Sequence, residues 1–475
     1  MDAERRARRQ SLRIIISEVI MVIAVIVTVL ILGFVVSGYW LNSDFKIERQ
    51  GLLQIYSMPT GADIEIDNSP SSWLQRTNTS KTLSAGEHTI KLSKEGYDTW
   101  SRTINITEGL LYRLHYPRLF LKNRSHETAF ESSANFASIT PDRNTMLLAN
   151  NTTEWQLFNL DSDSVKPMTL NLSEILPFAS RATDATTGLF AGSITSSKWA
   201  NDNEHLLLKI ESNGETNWLL LNIKNPNSSI NLTKEFNANF SNLEISDQSA
   251  NYLLGVIDNN LRRIDVQTKQ ISSILVSDLI SFDYRNQDVV FCAKTDAKEI
   301  ISSDNASPYY IGILKLGNSE VTKLKDVMEP VKMVTIKFYD DEYIGVVTNT
   351  AITLYLKKDF EEKQSFPLSF QPEKIKANQD GDVITAYTGG QLAVLDMEAM
   401  SLSEWSTGTD SFNWLDNSMI YAVKDGNLEV YDFNGLNHRT LASNVSAHFP
   451  ITITSDKYLY YFRDGSLIRE YLLEK

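Results

Sequence analysis

The sequence has very little cysteine, and this bounds its chemistry. A single cysteine, Cys292, among 475 residues excludes an intramolecular disulfide framework and any thiolate metal cluster. Cys292 lies in an apolar run, residues 289–293, with no histidine beside it. This position predicts a small buried side chain and not a nucleophile.

Motifs of known catalytic and metal centres are also missing. The sequence contains no Gly-x-Ser-x-Gly elbow, no zinc-type histidine spacing, no phosphate-binding loop and no dinucleotide glycine fingerprint. Two short acidic pairs, Asp161 with Asp163 and Asp340 with Asp341, lack the rest of a calcium loop and are predicted to be solvated turn residues. We therefore predict no catalytic residue, no cofactor and no metal site.

Charge is unevenly distributed along a chain of net charge -14. An acidic protein repels phosphate backbones, which argues against a nucleic-acid partner. Residues 1–13 carry five arginines against two acidic residues, a local charge of +3, whereas the chain after residue 18 holds 40 basic and 56 acidic residues, a net of -16. The basic residues of the tail are Arg5, Arg6, Arg8, Arg9 and Arg13.

An uncharged apolar run of 18 residues, 19–36, follows the basic tail. With its flanks it is long enough to cross the hydrocarbon core, which predicts a transmembrane helix over residues 14–38. The arginines predict a cytoplasmic N-terminus, and Tyr39 and Trp40 suit the far interface. A cleavable signal peptide is the alternative, although its apolar region is shorter, about 7–15 residues. Glu18 is expected to snorkel to the head groups or to pair with a partner helix.

A short spacer, residues 39–49, is predicted to precede a small β-module. Residues 51–57, 62–67, 87–93 and 98–106 alternate in polarity as strands do, which predicts an antiparallel β-sandwich over residues 50–117. Turn residues punctuate these strands. The residues that form a recognisable pattern there are Ser57, Pro59, Gly61, Ala62, Asp67, Gly86, Gly96 and Tyr97.

This pattern resembles the PEGA domain, although Thr60 stands where the family signature has Glu. The resemblance implies a non-enzymatic β-module of a prokaryotic envelope or surface protein. Gly61 and Gly96 are predicted to be turn glycines that need positive φ or a close backbone approach. Trp73 and Trp100 are predicted to be core aromatics, with partner contact as the alternative.

From about residue 130 onward one β-pattern recurs, without a long amphipathic helix. Its repeats begin 37 to 61 residues apart, and periods near 40 with several strands per unit are typical of a β-propeller. We predict a propeller over residues 118–475 with eight blades, or seven, that resembles TolB-like and WD-type propellers in general shape only. The last unit shows three strands, and residues 119–122 or 128–130 could supply its fourth. The anchors are Phe136, Ser197, Phe240, Ile280, Val331, Glu373, Ser411 and His448.

Together these features predict an all-β ectodomain, a PEGA-like sandwich plus a propeller, behind one transmembrane helix. The expected function is that of a membrane-anchored, extracytoplasmic binding or scaffold protein that presents the propeller to a protein or to a cell-surface or cell-wall glycan. A carbohydrate-active lyase or glycosidase with its site in the central channel is the alternative. Hydrolysis there would need two carboxylates about 5–10 Å apart.

Overall fold

The protein is almost entirely β-structure and divides into two compact units, Met1–Lys122 and Asn123–Lys475. The structure, a computed structural model, describes residues 17–30, 32–33, 39–41, 47–70, 76–162, 166–176, 179–181, 188–245, 250–285, 287–296, 307–317 and 319–474. Each unit has its own set of sheets.

Residues 17–30 and 32–33 are helical, and their large apolar side chains, from Val19 to Leu32, each expose 46–66 % of their surface. No helix within the described residues has both the length and the apolar character needed to cross a membrane. The predicted span 14–38 extends beyond the described residues at both ends, and Arg5, Arg6, Arg8, Arg9 and Arg13 lie outside them.

Part of the predicted spacer, residues 39–49, is sheet. Strand β1 (Tyr39–Leu41) pairs antiparallel with the start of β2 (Ile47–Ile55), with Tyr39 opposite Arg49 and Leu41 opposite Ile47. Backbone hydrogen bonds hold such a pair regardless of side-chain polarity. The polar, mixed-charge composition of residues 42–50 therefore concealed the start of β2, and the structure places Tyr39 and Trp40 in β1.

The described residues of the first unit form two four-stranded sheets. The strands that follow β2 are β3 (Asp63–Ile66), β4 (Ser69–Pro70), β5 (Thr79–Ser84), β6 (Gly86–Ser93), β7 (Trp100–Ile106) and β8 (Leu111–Leu114). In one sheet β2 pairs with β1 and β5 antiparallel and with β8 parallel, and in the other the order is β4-β3-β6-β7. Alternate residues of β7 are buried, so one face of this sheet lies on the core.

Residues 118–122 pack with the first unit. Leu119 N–H donates to the Met58 carbonyl (2.8 Å) and Lys122 N–H to the Gly96 carbonyl (2.9 Å). Leu119, Phe120 and Leu121 are buried. This stretch is therefore not the strand that completes the second unit.

The described residues of the second unit form eight four-stranded antiparallel sheets, here called blades 1 to 8, and one additional two-stranded hairpin. In blades 1 to 7 each strand pairs with the next along the chain. Blade 1 consists of β10 (Phe136–Ile139), β11 (Thr145–Ala149), β12 (Glu154–Asn159) and β13 (Pro167–Asn171), and blade 2 of β16 (Ser193–Trp199), β17 (His205–Ser212), β18 (Glu215–Asn222) and β19 (Ile230–Asn231). Blade 3 consists of β20 (Asn242–Ile245), β21 (Tyr252–Ile257), β22 (Asn260–Asp265) and β23 (Gln270–Ile271), and blade 4 of β24 (Leu279–Arg285), β25 (Asp288–Lys294), β26 (Tyr309–Lys315) and β27 (Glu320–Val327).

The later blades follow the same plan. Blade 5 consists of β28 (Lys332–Phe338), β29 (Asp341–Val347), β30 (Ala351–Leu356) and β31 (Glu361–Pro367). Blade 6 consists of β32 (Lys374–Ala377), β33 (Val383–Thr388), β34 (Gln391–Asp396) and β35 (Ser401–Ser406). Blade 7 consists of β36 (Phe412–Trp414), β37 (Met419–Lys424), β38 (Asn427–Asp432) and β39 (Arg439–Ala442). An extra hairpin, β14 (Ala179–Arg181) and β15 (Gly188–Phe190), separates blades 1 and 2 and accounts for the longest predicted spacing. A 3-10 turn, Pro226–Ser228, and a short helix, Leu232–Phe236, lie in blade 2.

Blade 8 joins the two ends of the second unit. Its strands are β40 (Thr452–Thr454), β41 (Tyr458–Arg463) and β42 (Ser466–Tyr471), and the fourth is β9 (His126–Glu131), which pairs antiparallel with β42. Of the two predicted closing segments, 128–130 is confirmed. Apolar side chains of blade 8 then pack against blade 1, where the Tyr460 hydroxyl donates to the Leu160 carbonyl (2.7 Å).

Successive blades pack face to face. Leu147 and Trp155 of blade 1 share a core with Leu206 of blade 2, and similar clusters join blade 2 to 3, 3 to 4, 4 to 5 and 5 to 6. The first strands of several successive blades contact one another, so this edge of each sheet faces the axis. Eight radially packed blades in a closed ring make a β-propeller, which confirms the predicted architecture.

Cys292 lies between blades 4 and 5 with no exposed surface, and burial raises the pKa of its thiol. The predicted buried small side chain is confirmed.

Candidate functional site

The PEGA-like pattern residues form the local scaffold of the first unit. The buried Ser57 hydroxyl lies 2.7 Å from both the Pro59 carbonyl oxygen and the Thr77 hydroxyl. Thr77 Oγ1 in turn accepts a hydrogen bond from the buried Ala62 N–H (2.9 Å). These contacts fix the turn between β2 and β3 and leave little of Ser57 or Ala62 for a ligand.

The turn glycines have the predicted conformation. Gly61 has φ +75° and Gly96 has φ +80°, a region that L side chains rarely adopt. Gly86, which starts β6, also has positive φ. Tyr97 follows the second turn and is buried, with the Lys94 ammonium 5.7 Å from its ring centroid.

Asp67 connects two strands of the first unit. Its carboxylate accepts the Thr89 N–H (2.8 Å) and lies 2.6 Å from His88 Nδ1. The hydrogen bond with His88, followed by that from Thr89, holds the pKa of Asp67 below its usual value. Both contacts stabilise the pairing of β3 with β6.

The two tryptophans of this unit have different outcomes. Trp100 has no exposed surface and packs edge-on against Tyr116 (ring centroids 5.9 Å apart). Partner contact through Trp100 is therefore wrong, since a fully buried indole cannot meet another molecule, and the core interpretation is confirmed. Trp73 lies outside the described residues.

The first strands around the axis have a charge opposite to that of the ring. Residues 123–475 hold 30 basic and 47 acidic residues, a net of -17. The eight first strands, in contrast, carry six basic residues and two acidic ones. The basic residues are Lys198, Arg285, Lys332, Lys337, Lys374 and Lys376.

Both carboxylates of these first strands are engaged. Glu244 of blade 3 forms an ion pair with Lys198 of blade 2. Asp283 of blade 4 accepts the Thr335 N–H of blade 5 (2.6 Å). In the eight first strands as described, no free pair of carboxylates faces the axis, and five of the six basic residues fall on consecutive blades 4, 5 and 6.

The most distinctive group of side chains lies on blade 6 and is here called the lysine site: Lys374, Lys376, Thr385, Tyr387 and Asn413. The register of β32 and β33 sets Lys374 opposite Tyr387 and Lys376 opposite Thr385, so these four side chains share one face of the blade. The opposite face, which carries Ile375, packs on blade 5.

Blade 7 provides the other wall of the lysine site. The Lys376 ammonium donates to Asn413 Oδ1 (3.1 Å), and the Tyr387 ring meets Phe412 edge-on with centroids 5.2 Å apart. The ammonium groups of Lys374 and Lys376 lie 6.0 and 5.6 Å from the Tyr387 ring centroid. The side chains of the lysine site differ in solvent exposure. Lys374 and Asn413 are exposed, Lys376 is half-buried and Thr385 has no exposed surface.

The lysine site does not stabilise the positive charges of its two lysines. Among the described residues, no carboxylate forms an ion pair with Lys374 or Lys376. Burial and, second, the charge of Lys374 lower the pKa of Lys376 to about 8. Burial also raises the pKa of Tyr387, which therefore stays neutral at physiological pH. Beside Lys376, the buried Thr385 hydroxyl has no hydrogen-bond partner in the described structure.

A recess of about 740 Å³ lies on the outer edge of blade 2. It is lined by Asn217, Asn237 and Asn239 together with the start of β18 and the short helix. Asn231 donates from Nδ2 to Asn217 Oδ1 (3.0 Å), and Thr233 Oγ1 accepts the Trp218 N–H (2.9 Å). Asn217 and Thr233 are therefore each engaged by a neighbouring group of the same blade.

The described residues contain no group of three histidine, cysteine, aspartate or glutamate side chains placed to hold a metal ion.

Sequence reasoning missed the lysine site. One signal was available: Lys374-Ile-Lys-Ala377 alternates charged and apolar residues in a propeller strand, where both faces are packed. A charged face on such a strand indicates a polar interface between blades.

Comparison with known proteins agrees with the resemblance in the first unit. The PEGA domain family matches residues 50–118. None of the curated proteins matches the chain.

Among solved structures, Hsv2 of Kluyveromyces lactis is similar to the chain with a TM-score of 0.41 and 8 % identity over 62 % of this chain and 91 % of that one. An oligogalacturonate lyase from Vibrio parahaemolyticus is similar with a TM-score of 0.40 and 12 % identity, over 68 % of this chain and 98 % of that one. The computationally designed Ika8 protein is similar with a TM-score of 0.40 and 10 % identity, over 72 % of this chain and 97 % of that one. The propeller assignment rests on the strand order and closure of the ring and not on these similarities.

Proposed function

We propose that this protein is a membrane-anchored binding protein of a prokaryotic cell envelope, whose propeller takes an anionic cell-surface or cell-wall polymer at its axis. The observation that carries the proposal is the basic character of the first strands inside an acidic ring. Basic side chains at a cleft attract an anionic partner locally, whereas the surrounding acidic surface repels it elsewhere.

Anchoring is the second part of the proposal. The uncharged run 19–36 exposes its apolar side chains along the described helix, and such a surface needs an apolar environment to cover it. The arginine-rich tail favours a cytoplasmic N-terminus, which would place both β-units outside. The PEGA match supports an envelope location.

The channel-enzyme alternative has less support. Its glycosidase form requires two carboxylates at the axis, whereas Glu244 and Asp283, the two carboxylates of the described first strands, are each held by a neighbouring blade. We therefore favour binding over hydrolysis.

The binding proposal is tested with the full-length protein in nanodiscs, passed over an immobilised anionic polysaccharide (alginate) and over neutral dextran at low and high salt. We expect retention on alginate alone, with release as the salt concentration rises. Equal retention on dextran, or passage through both columns, would reject it. Unsaturated or shortened alginate products after incubation would favour the enzyme alternative.

Anchoring is tested by alkaline carbonate extraction of membranes from cells that express the full chain or a variant without residues 1–38. We expect the full chain to stay in the membrane pellet and the variant to be released. Release of both would reject the anchor.

A further inference from the structure

We propose that the lysine site is a binding site for a single oxyanion, a carboxylate or a phosphate group, held between blades 6 and 7 by Lys376, Thr385 and Asn413. This inference rests on the proposed function, since it names the group of the anionic ligand that the ring recognises. The same site can be tested without the polymer.

The lysine site holds positive charge without a compensating negative charge. Charged side chains are rarely buried unless they are paired, because desolvation of an unpaired cation destabilises the fold. Lys376 has an amide oxygen, from Asn413, and a second lysine beside it. An oxyanion would supply the missing negative charge.

A second feature of the lysine site does not depend on charge. Buried hydroxyl groups nearly always have a hydrogen-bond partner, yet the Thr385 hydroxyl, with no exposed surface, has none in the described structure. Thr385 is the register partner of Lys376, and directly opposite residues in an antiparallel pair have Cβ atoms about 4.5–5.5 Å apart. An oxygen bound to Lys376 could accept the Thr385 hydroxyl as well.

The chemistry of the donors selects an oxyanion. The Lys376 ammonium offers three donors, the Thr385 hydroxyl one, and the Asn413 amide nitrogen two. Hydrogen bonds to an ionised acceptor are the strong ones, and a carboxylate or phosphate can accept from several donors at once. The exposed Lys374 adds long-range attraction at the entrance.

The experiment is a calorimetric titration of the full-length protein with inorganic phosphate and with glucuronate. We compare wild type with Lys376→Met, Thr385→Val and a control, Lys457→Met, which removes an exposed lysine of blade 8. We expect one site per chain, a loss of affinity of about tenfold or more for Lys376→Met, a loss of several-fold for Thr385→Val and no change for the control.

Preference for phosphate would identify a phosphate-bearing ligand, and preference for glucuronate would identify an acidic sugar. No saturable binding of either anion, or unchanged affinity in Lys376→Met, would overturn the inference. The two experiments distinguish the two proposals. Retention on alginate without binding of small anions would support the proposed function and reject the oxyanion site. Binding of small anions without retention on alginate would support the oxyanion site and reject the proposed function.

A stability readout separates binding from a structural role. Methionine fills the volume of lysine without its charge, so Lys376→Met should raise the thermal midpoint while it weakens anion binding. A lower midpoint would mean that the ammonium stabilises the blade, and the inference would be wrong. Thr385→Val, which replaces an unpartnered hydroxyl by a methyl group, should fold and keep the test open.

Discussion

At the scale of single residues, the positive charge of Lys376 destabilises the fold, and no negative charge compensates it. Its pKa is lowered to about 8 from an ordinary 10.5, so its charged form is less stable in the folded protein than in the unfolded chain. The charged and titratable neighbours are Lys374 on β32 and Tyr387 on β33, and neither offers a negative charge at neutral pH. A residue that lowers stability in this way is typical of a binding site.

This cost has a defined pH dependence. A lysine with a depressed folded-state pKa destabilises the protein fully below pH 8, and the destabilisation disappears as pH rises towards 10.5. We expect Lys376→Met to be more stable than wild type by about 2–3 kcal/mol at pH 7. The difference should shrink towards zero near pH 10.5, and paired urea denaturation curves at several pH values measure it. A constant difference across this range would contradict the assignment.

The oxyanion affinity should follow the same group. As pH rises above about 8, Lys376 loses its proton in the free protein, and anion binding must then take up a proton. We expect the affinity for glucuronate, whose charge does not change in this range, to be highest below about pH 7 and to fall as the pH rises through 8. Titration of Lys376→Met should show little of this pH dependence.

Cys292 gives a simple residue-level test of the ring. Its thiol is fully buried between blades 4 and 5, and burial raises its pKa, so both access and ionisation oppose reaction. We expect no reaction with a thiol reagent such as dithionitrobenzoate in the folded protein and one thiol per chain in denaturant. Rapid reaction of the native protein would show that this interface opens.

At the scale of elements, β9 holds the ring closed through its flanking ion pairs. Arg124, just before β9, forms an ion pair with the buried Glu470 of β42 and donates to the Leu441 carbonyl (2.7 Å). Arg469 of the same strand donates to Glu127 of β9 (Nε–Oε1, 2.7 Å) and to the Ser162 carbonyl of blade 1 (2.9 Å). The closing strand is thus tied to blades 7, 8 and 1.

Removal of Arg124 should show how much this closure contributes. Arg124→Ala would leave the Glu470 carboxylate buried with the Tyr461 hydroxyl as a remaining donor (3.0 Å). Loss of one partner of a buried ion pair typically costs about 3–5 kcal/mol, so we expect the ring to lose about 3 kcal/mol in urea denaturation. Lys457→Ala, an exposed control on the same blade, should change stability by less than about 0.5 kcal/mol. Equal effects of the two variants would contradict the role of the pair.

The elements themselves were largely predictable from sequence, and the lysine site was not. All eight anchors lie within four residues of the start of a first strand, because each blade repeats the same order of apolar strands and polar turns. The contact of Lys376 with Asn413, however, joins positions 37 residues apart on different blades. Only the register of β32 and the packing of blade 7 bring these side chains together. In the same way β1 escaped prediction, because backbone pairing leaves no pattern in its side chains.

At the scale of the whole molecule, charge is arranged in three zones. The tail of residues 1–13 is +3, the ring is -17, and the axis of the ring is basic. The first zone sets membrane orientation in our proposal, and the contrast between the other two directs anionic ligands to the axis.

Orientation can be tested by reversing the first zone. Replacement of Arg5, Arg6, Arg8, Arg9 and Arg13 by glutamate removes the positive residues that favour a cytoplasmic tail. We expect protease added to spheroplasts to digest the ring of the wild type and to leave more of the variant protected. As a control, lysines at the same five positions should keep the wild-type pattern. Identical digestion of wild type and the glutamate variant would show that the charge of the tail does not determine the membrane orientation.

Blade 8 also determines the order in which the propeller can form. Glu127 and Arg469 are separated by 342 positions, and closing so long a loop costs about 5 kcal/mol of chain entropy. The ring therefore cannot close until β42 has been synthesised, and until closure both β9 and the facing edge of β42 have unpaired backbone groups. At high concentration β9 of one chain can pair with β42 of another. Domain-swapped oligomers are thus the expected error of refolding, and dilution is its remedy.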